Sequence, residues 1–299
     1  MSRIQEAIRK AAREQQLESG NDYTTAESIL SASYAVAAAT RTVRSSAASV
    51  SEPLEMPDSI YLDWHPDKKH MLFGDENMNP LAREQFRSLR MKLSELREQK
   101  SIRTIAVGSA LPGDGKTFVS VNLAQAFAAQ RDSKVLLIDC DMRRGSAADL
   151  LGGRTSPGLS EYLLGEQSLH NVLQRGTGGS LSLISSGKHI AEPGELVTDI
   201  RMRQLIQQMR SIYDWIVIDT PPVIQFSDAR VLAGICDGTL LVVKAGATPV
   251  QMAQRAADAF KGHCLLGAIL NRANTASSLV RYYAESYMSP QQALETGTK

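Results

Sequence analysis

The 299-residue chain carries only three cysteines, Cys140, Cys236 and Cys264, odd in number and far apart. That argues against a disulfide framework or a cysteine zinc site, and fits reduced thiols in a cytoplasmic setting. Long hydrophobic runs are also missing. No stretch approaches the roughly eighteen apolar residues that a membrane span needs, and the first residues lack the apolar core of a signal peptide. Excess charge of one sign is absent too, since the net charge is +1, which gives no reason to expect nucleic acid as a partner. With 43% hydrophobic residues the chain can bury one sizeable core.

What the chain does have is three apolar runs that each end in residues suited to phosphate or magnesium chemistry: ALPGDGKT (Ala110 to Thr117), VLLIDCDMR (Val135 to Arg143) and WIVIDTPP (Trp215 to Pro222). Ile102 to Ser109 reads as a strand, and Val119, Leu123, Ala126 and Phe127 then recur at helical spacing, so the first loop joins strand to helix. Gly113 and Gly115 let the loop Pro112-Gly113-Asp114-Gly115-Lys116-Thr117 turn tightly, so that successive N–H groups after Pro112 can face a phosphate at the positive end of the helix. Lys116 would add a charge on the terminal phosphates and Thr117 a hydroxyl for magnesium. The usual first glycine of this loop is replaced by Ala110.

Asp219 follows Ile216, Val217 and Ile218, a run suited to a central parallel strand, and a carboxylate there can hold magnesium through its water shell. Asp139 and Asp141 end another strand two residues apart, so they point the same way if the strand persists. Such a pair is costly unless a cation lies between. Taken alone, GDGKT is compatible with a polar turn and DCD with a solvated loop. Together and in this order they describe a nucleotide site.

Along the chain, Ser2 with Gln5 forms a capping box, and Ile4, Ala7, Ile8, Ala11 and Ala12 form an apolar stripe, predicting a short basic helix within residues 1–17. Such a helix could lie on an anionic membrane surface, dock to a partner, or stay solvated. Residues 18–77 read as a largely disordered linker rich in Ser, Ala, Thr and Glu. Residues 78–272 form the compact domain, opened by Asn79 as cap and Pro80 as first helical residue, with Phe86, Leu89, Leu93 and Leu96 facing a core. Met202, Leu205, Ile206, Met209 and Ile212 mark one later helix, and Val250, Ala253, Ala257 and Phe260 another. Apolar runs at 181–184, 239–243 and 265–270 supply further strands. The alternation predicts an α/β fold with a mostly parallel central sheet and helices on both faces. Residues 273–299 read as a flexible tail holding Tyr282, Tyr283 and Tyr287.

These residues resemble the Walker A, A′ and B motifs of the bacterial tyrosine kinases that govern capsule and exopolysaccharide export. The resemblance covers residues 79 to 299 and includes ExxRxxR (Glu84, Arg87, Arg90), PGLSEYLLGE (157–166), SSGKHIAEPGELV (185–197) and Ser227-Asp228-Ala229. Gly145 stands where relatives often carry proline. The resemblance implies a P-loop NTPase fold of the SIMIBI or MinD-like kind, with ATP and Mg2+ as cofactors. It implies Lys116, Asp139, Asp141 and Asp219 as catalytic residues, with Asp139 the base. Magnesium would lie at Thr117, Asp139 and Asp219, and the nucleotide would also be met by Arg143 and Asn271. From the residues alone, Asn271 reads equally as a turn residue at a strand end.

The resemblance further implies a ring-like homo-oligomer joined through Glu84, Arg87 and Arg90, which otherwise read as a surface ion pair. It implies phosphorylation of Tyr282, Tyr283 and Tyr287 in trans, a separate transmembrane chain-length-determinant activator, a resetting tyrosine phosphatase, and a peripheral place at the inner face of the membrane. The roughly ten residues after Asn271 could span about 30 Å at about 3.3 Å each. Two other readings stay open, a MinD/ParA-like ATPase switch and a non-catalytic nucleotide-binding adaptor. Against the first, the extra lysine of KGGxGKT is replaced here by Leu111.

Overall fold

Apolar runs with β-branched residues supply the strands in this chain, and helical spacing between them supplies the crossovers. The computed structural model describes residues 59–66, 70–73, 80–176 and 179–273. In chain order the elements are β1 (Ile60–Leu62), α1 (Pro80–Lys100), β2 (Thr104–Ser109), α2 (Lys116–Ala128), β3 (Val135–Asp139), α3 (Ala147–Leu151), α4 (Leu159–Leu163), α5 (Leu169–Val172), β4 (Leu173–Gly176), β5 (Leu181–Ile184), α6 (Gly194–Thr198), α7 (Ile200–Arg210), β6 (Trp215–Asp219), α8 (Asp228–Ile235), β7 (Gly238–Lys244), α9 (Val250–Ala259) and β8 (Leu265–Asn271). The expected N-terminal helix, Asn79 and the three tail tyrosines lie outside the described residues.

The strands form one sheet in the order β1-β4-β5-β3-β6-β2-β7-β8. All neighbours are parallel except β4 and β5. Side chains of a strand alternate between faces, and this alternation places the chemistry. Leu136 and Ile138 of β3, with Ile216 and Ile218 of β6, pack under Met202, Leu205, Ile206 and Met209 of α7. Val135, Leu137, Trp215 and Val217 point the other way, toward α1 and α2. Continuing each strand by one alternation puts Asp139 and Asp219 on the α2 face. The two are also register partners, as are Val107 and Asp219. Phe127 of α2 stacks on Trp215 with ring centroids 4.1 Å apart, which anchors the helix to the strand carrying Asp219.

Helix α2 departs from a one-sided pattern. Besides Val119, Leu123, Ala126 and Phe127, it buries Thr117, Ser120, Val121, Asn122 and Ala124, because α1 covers the side that the sheet leaves open. The first predicted strand is shorter than expected, since the Arg103 and Thr104 N–H groups both donate to the Asp237 carboxylate at 2.8 Å.

Part of the span read as linker packs on the domain. Ile60–Leu62 pairs with β4, and Met71 and Leu72 are buried in the α2-side core. Asn122 holds this segment: its Oδ1 accepts from Leu72 N at 2.9 Å and its Nδ2 donates to His70 O at 3.0 Å. Asn122→Ala is expected to destabilise the protein by about 1–3 kcal/mol through the unmet buried groups, read as a lower midpoint in urea unfolding.

Candidate active site

The loop after β2 owes its shape to its own residues. Gly113 and Gly115 take φ of +82° and +93°, a region that penalises side chains. The Asp114 side chain turns inward. Its carboxylate accepts from Leu111 N at 2.9 Å and from Thr248 Oγ1 at 2.6 Å, so it braces the loop. Ala110 is fully buried where the glycine was missing. Asn271 also reaches the loop, its Nδ2 donating to Asp114 O at 2.8 Å and its Oδ1 accepting from Arg272 N at 2.9 Å. Its amide is therefore engaged by backbone at the base of the loop. A Cβ on Gly115 would sit 2.0 Å from Asn271 Nδ2. Gly115→Ala is accordingly expected to lower nucleotide affinity by about tenfold or more, measured by calorimetric titration with ATP, because it adds this overlap to the positive-φ strain.

At the strand ends, Thr117 Oγ1 donates to Asp219 Oδ2 at 2.6 Å and Ser120 Oγ donates to Asp219 Oδ1 at 3.0 Å. Thr117 and Ser120 lie three residues apart, on one face of α2. Lys116 Nζ stands 2.9 Å from Asp141 Oδ2. Asp139 Oδ1 accepts from Asp141 N at 3.1 Å and its Oδ2 from Ala147 N at 3.0 Å. Gly145 is required nearby, since a Cβ there would meet Ser186 Oγ at 2.0 Å and Asp139 Oδ2 at 2.9 Å. The structure thus gathers Lys116, Thr117, Asp139, Asp141 and Asp219 in one place. Asp141 opens onto a cleft of about 680 Å³ beside the loop, whereas Asp139 and Asp219 are 1% and 0% exposed beneath it.

Burial and the neighbouring Asp219 push the Asp139 carboxyl up to about 7. Burial likewise raises Asp219, against the opposing pull of Lys116. Burial works to lower the Lys116 ammonium, but the charges of Asp219, Asp141 and Asp139 outweigh it and raise its pKa. Hard oxygen donors with a surplus of negative charge fit a divalent cation such as magnesium.

Arg143 lines the same cleft, ion-paired with Asp228 and with its guanidinium 4.1 Å from the centroid of the Phe226 ring. Asp228 is 4% exposed. Neither Ser120 nor Asp228 was singled out as a site residue from sequence. The helical spacing from Thr117 could have found Ser120, and Asp228 stood in a segment noted only for its resemblance. Of the ExxRxxR residues, Glu84 and Arg87 face each other at 3.5 Å on the exposed side of α1. Arg90 instead donates to Ala126 O at 3.0 Å, capping the end of α2. Among the described residues, no helix is long and apolar enough to cross a membrane.

A family model described as an AAA domain matches residues 102–253. Over 194 residues the chain is 33% identical to the tyrosine-protein kinase YwqD of Bacillus subtilis, covering 64% of this chain and 81% of that one. Over 221 residues it is 36% identical to the tyrosine-protein kinase Etk of Escherichia coli, covering 72% of this chain but 30% of Etk. The solved kinase domain of Escherichia coli Etk matches at a TM-score of 0.60 and 36% identity, covering 67% of this chain and 82% of that domain. The cell division ATPase MinD of Pyrococcus furiosus, at a TM-score of 0.51 and 24% identity over 58% of this chain and 74% of its own, shares the fold. The chain thus spans most of the Bacillus protein and about a third of the longer Escherichia one. With 33% identity across 81% of the Bacillus kinase and the fold of the solved Etk kinase domain, the chain belongs to the family of bacterial tyrosine-protein kinases.

Proposed function

We propose that this chain is the ATP-dependent autokinase of a capsule or exopolysaccharide export system, transferring the γ-phosphoryl group to Tyr282, Tyr283 and Tyr287 of a neighbouring copy. The observation that carries the reading is the meeting of Lys116, Thr117, Asp139, Asp141 and Asp219 at the carboxyl ends of β2, β3 and β6.

ATP lies across that edge with its phosphates on the loop from Pro112 to Thr117, where α2 presents its first-turn N–H groups. Lys116 leaves Asp141 for the terminal phosphates, which frees the Asp141 carboxylate toward the cleft. Thr117 and Asp219 would hold magnesium, with Asp139 adjacent. When bound, magnesium neutralises charge on the β- and γ-phosphates. A phenol has an ordinary pKa near 10, so its proton needs an acceptor during attack. Asp139, pushed up to about 7, suits that role, and Asp141 positions the incoming hydroxyl. Arg143, fixed by Asp228 and Phe226, faces the charge that builds between donor and acceptor.

The resemblance to the family supports the remaining partners: a ring of copies, a separate transmembrane chain-length-determinant protein as activator, a tyrosine phosphatase that resets the tail, and a peripheral position at the inner membrane face. The exposed Glu84–Arg87 pair on α1 is available for contact between copies. Replacing Glu84, Arg87 and Arg90 together by alanine is expected to convert the oligomer to monomer in sedimentation velocity. An unchanged profile would count against the ring.

The direct test is to incubate the full chain with ATP and magnesium and to locate phosphate by mass spectrometry. Phosphate on the tail tyrosines supports the autokinase. Release of free phosphate with no modified tyrosine would overturn it in favour of an ATPase switch.

A further inference from the structure

Lys116, Arg143 and Arg144 all line the cleft, and the first two are already engaged, Lys116 by Asp141 and Arg143 by Asp228. Arg144 differs. Its backbone N–H turns back onto Asp141, donating to Oδ1 at 3.1 Å and to the carbonyl at 3.0 Å. Its side chain is exposed, and the guanidinium has no hydrogen bond or ion pair among the described residues.

The order of the strands says which flank of the cleft this cation serves. Nucleotide phosphates belong to the loop after β2, and β3 lies two strand spacings away, about 10 Å, with β6 between. Arg144 comes from the loop after β3, one turn past Asp141. His189 comes from beyond β5, the neighbour of β3 on the side away from β2, and lines the same cleft. Its Nδ1 lies 3.1 Å from Arg143 O, and because a carbonyl only accepts, Nδ1 carries the proton and Nε2 is left without a partner among the described residues. An acceptor whose hydroxyl sits at Asp139 and Asp141 therefore leads its chain past Arg144 and His189, where the unmatched charge is positive.

The sequence supplies a group to match it. Between Asn271 and Glu295 the only acidic residue is Glu285, two positions from Tyr283 and two from Tyr287. Residues two apart in an extended chain share a face and stand about 7 Å apart, whereas Tyr282, three positions away, falls on the opposite face. We propose that Arg144 is a specificity residue of this kinase, taking the carboxylate of an acidic residue two positions from the acceptor tyrosine. The substrate class is then a tyrosine segment with an acid close by, here Glu285 of a neighbouring copy. This rests on the tyrosine kinase reading given above.

A guanidinium meets a carboxylate through two parallel N–H groups, and its planar fork is set before the contact forms. The contact lies away from the reacting atoms. It holds the acceptor over the carboxylates of β3 without touching the donor or the leaving group, so its loss falls on acceptor binding rather than on transfer. The direction in which the tail crosses the cleft decides whether Glu285 serves Tyr283 or Tyr287.

The test mixes two full chains with ATP and magnesium. One carries Tyr282→Phe, Tyr283→Phe and Tyr287→Phe and serves as enzyme; the other carries Lys116→Met and serves as acceptor. Mass spectrometry follows phosphate on each tail tyrosine as the acceptor concentration is raised. Arg144→Gln in the enzyme is expected to raise the KM for the acceptor by about three- to tenfold, with kcat and the KM for ATP within twofold of the parent. Glu285→Gln in the acceptor should give the same loss at one of Tyr283 and Tyr287, leave Tyr282 within twofold, and cost nothing further with the Arg144→Gln enzyme. Independent losses from the two changes, or a loss spread equally over the three tyrosines, overturn the pairing. A raised KM for ATP with the acceptor KM unmoved places Arg144 on the nucleotide and overturns it as well. Labelling that depends on neither residue overturns this proposal and leaves the kinase reading standing, whereas a parent enzyme that labels no tyrosine of the acceptor overturns both.

Discussion

Lys116→Met is expected to lower tail phosphorylation on the order of a thousandfold, the loss typical of removing a preorganised charge from a transferring group. The ammonium is the only cation held within the carboxylate cluster among the described ion pairs, 2.9 Å from Asp141 and drawn also by Asp219 and Asp139. Its side chain is largely covered, so its field is poorly screened by solvent. Methionine fills similar space without the charge. The same change should alter stability with a definite sign. Without the ammonium, the Asp139 and Asp219 carboxyls rise further above the ordinary range, and each then favours the folded state only while it keeps its proton. The variant should therefore melt lower than the parent by a margin that widens from about pH 5 to about pH 8 in magnesium-free buffer. A time course of phosphotyrosine and thermal melts at both pH values check the two parts. Activity within tenfold of the parent would remove Lys116 from the chemistry.

How much of this was legible in the sequence depends on whether a residue acts through its neighbours in the chain or across the fold. The loop, Asp139, Asp141 and Asp219 were readable because each closes a local pattern, an apolar run followed at once by a polar group, and the strand alternation that aims them at α2 is equally local. Their convergence was a bet on order alone, since nothing in the primary sequence states that β3 lies beside β6. The contacts that sequence reasoning did not see act at long range. The Asp114 carboxylate is held by Thr248, 134 positions away, a partner no local pattern announces. Asp228 acts through Arg143, and Arg90 through the end of α2. Helix α2 lost its stripe because two layers bury it, and a period detects only one. The packed pieces at 60–62 and 70–72 were hidden by composition: three residues of strand and two buried side chains are too few to stand out from a polar linker, and what fixes them is pairing with β4 for the first and the single side chain of Asn122 for the second.

Asp139→Asn should cost about 10²- to 10⁴-fold in phosphoryl transfer, the range for a positioned proton acceptor, with little change in nucleotide affinity. Asparagine keeps the shape and can still accept one of the two N–H groups, from Asp141 or Ala147, but it cannot take a proton from a phenol. The parent enzyme should lose activity on acidification with a limb centred near 7 in the free enzyme, since the carboxyl is pushed up to about 7 by burial and by Asp219. A bound cation opposes both effects, so the limb for the magnesium–nucleotide complex should lie at lower pH than the limb for the free enzyme. Stability gives an independent reading of the same group. A carboxyl raised in the folded state keeps its proton where the unfolded chain has lost it, so its contribution is fully present below about pH 4 and declines as pH rises toward 7. The parent should therefore lose ground to Asp139→Asn in thermal melts across that window and hold a constant difference above it. Parallel melts of the two proteins cancel the oppositely shifted groups, such as Glu161, which Ser156 and neighbouring backbone hold down to about 2 against the effect of burial. A difference in melting temperature that does not move between pH 4 and pH 7 would mean that Asp139 titrates as an ordinary carboxylate, and the base would then have to be sought at Asp141, which opens directly onto the cleft.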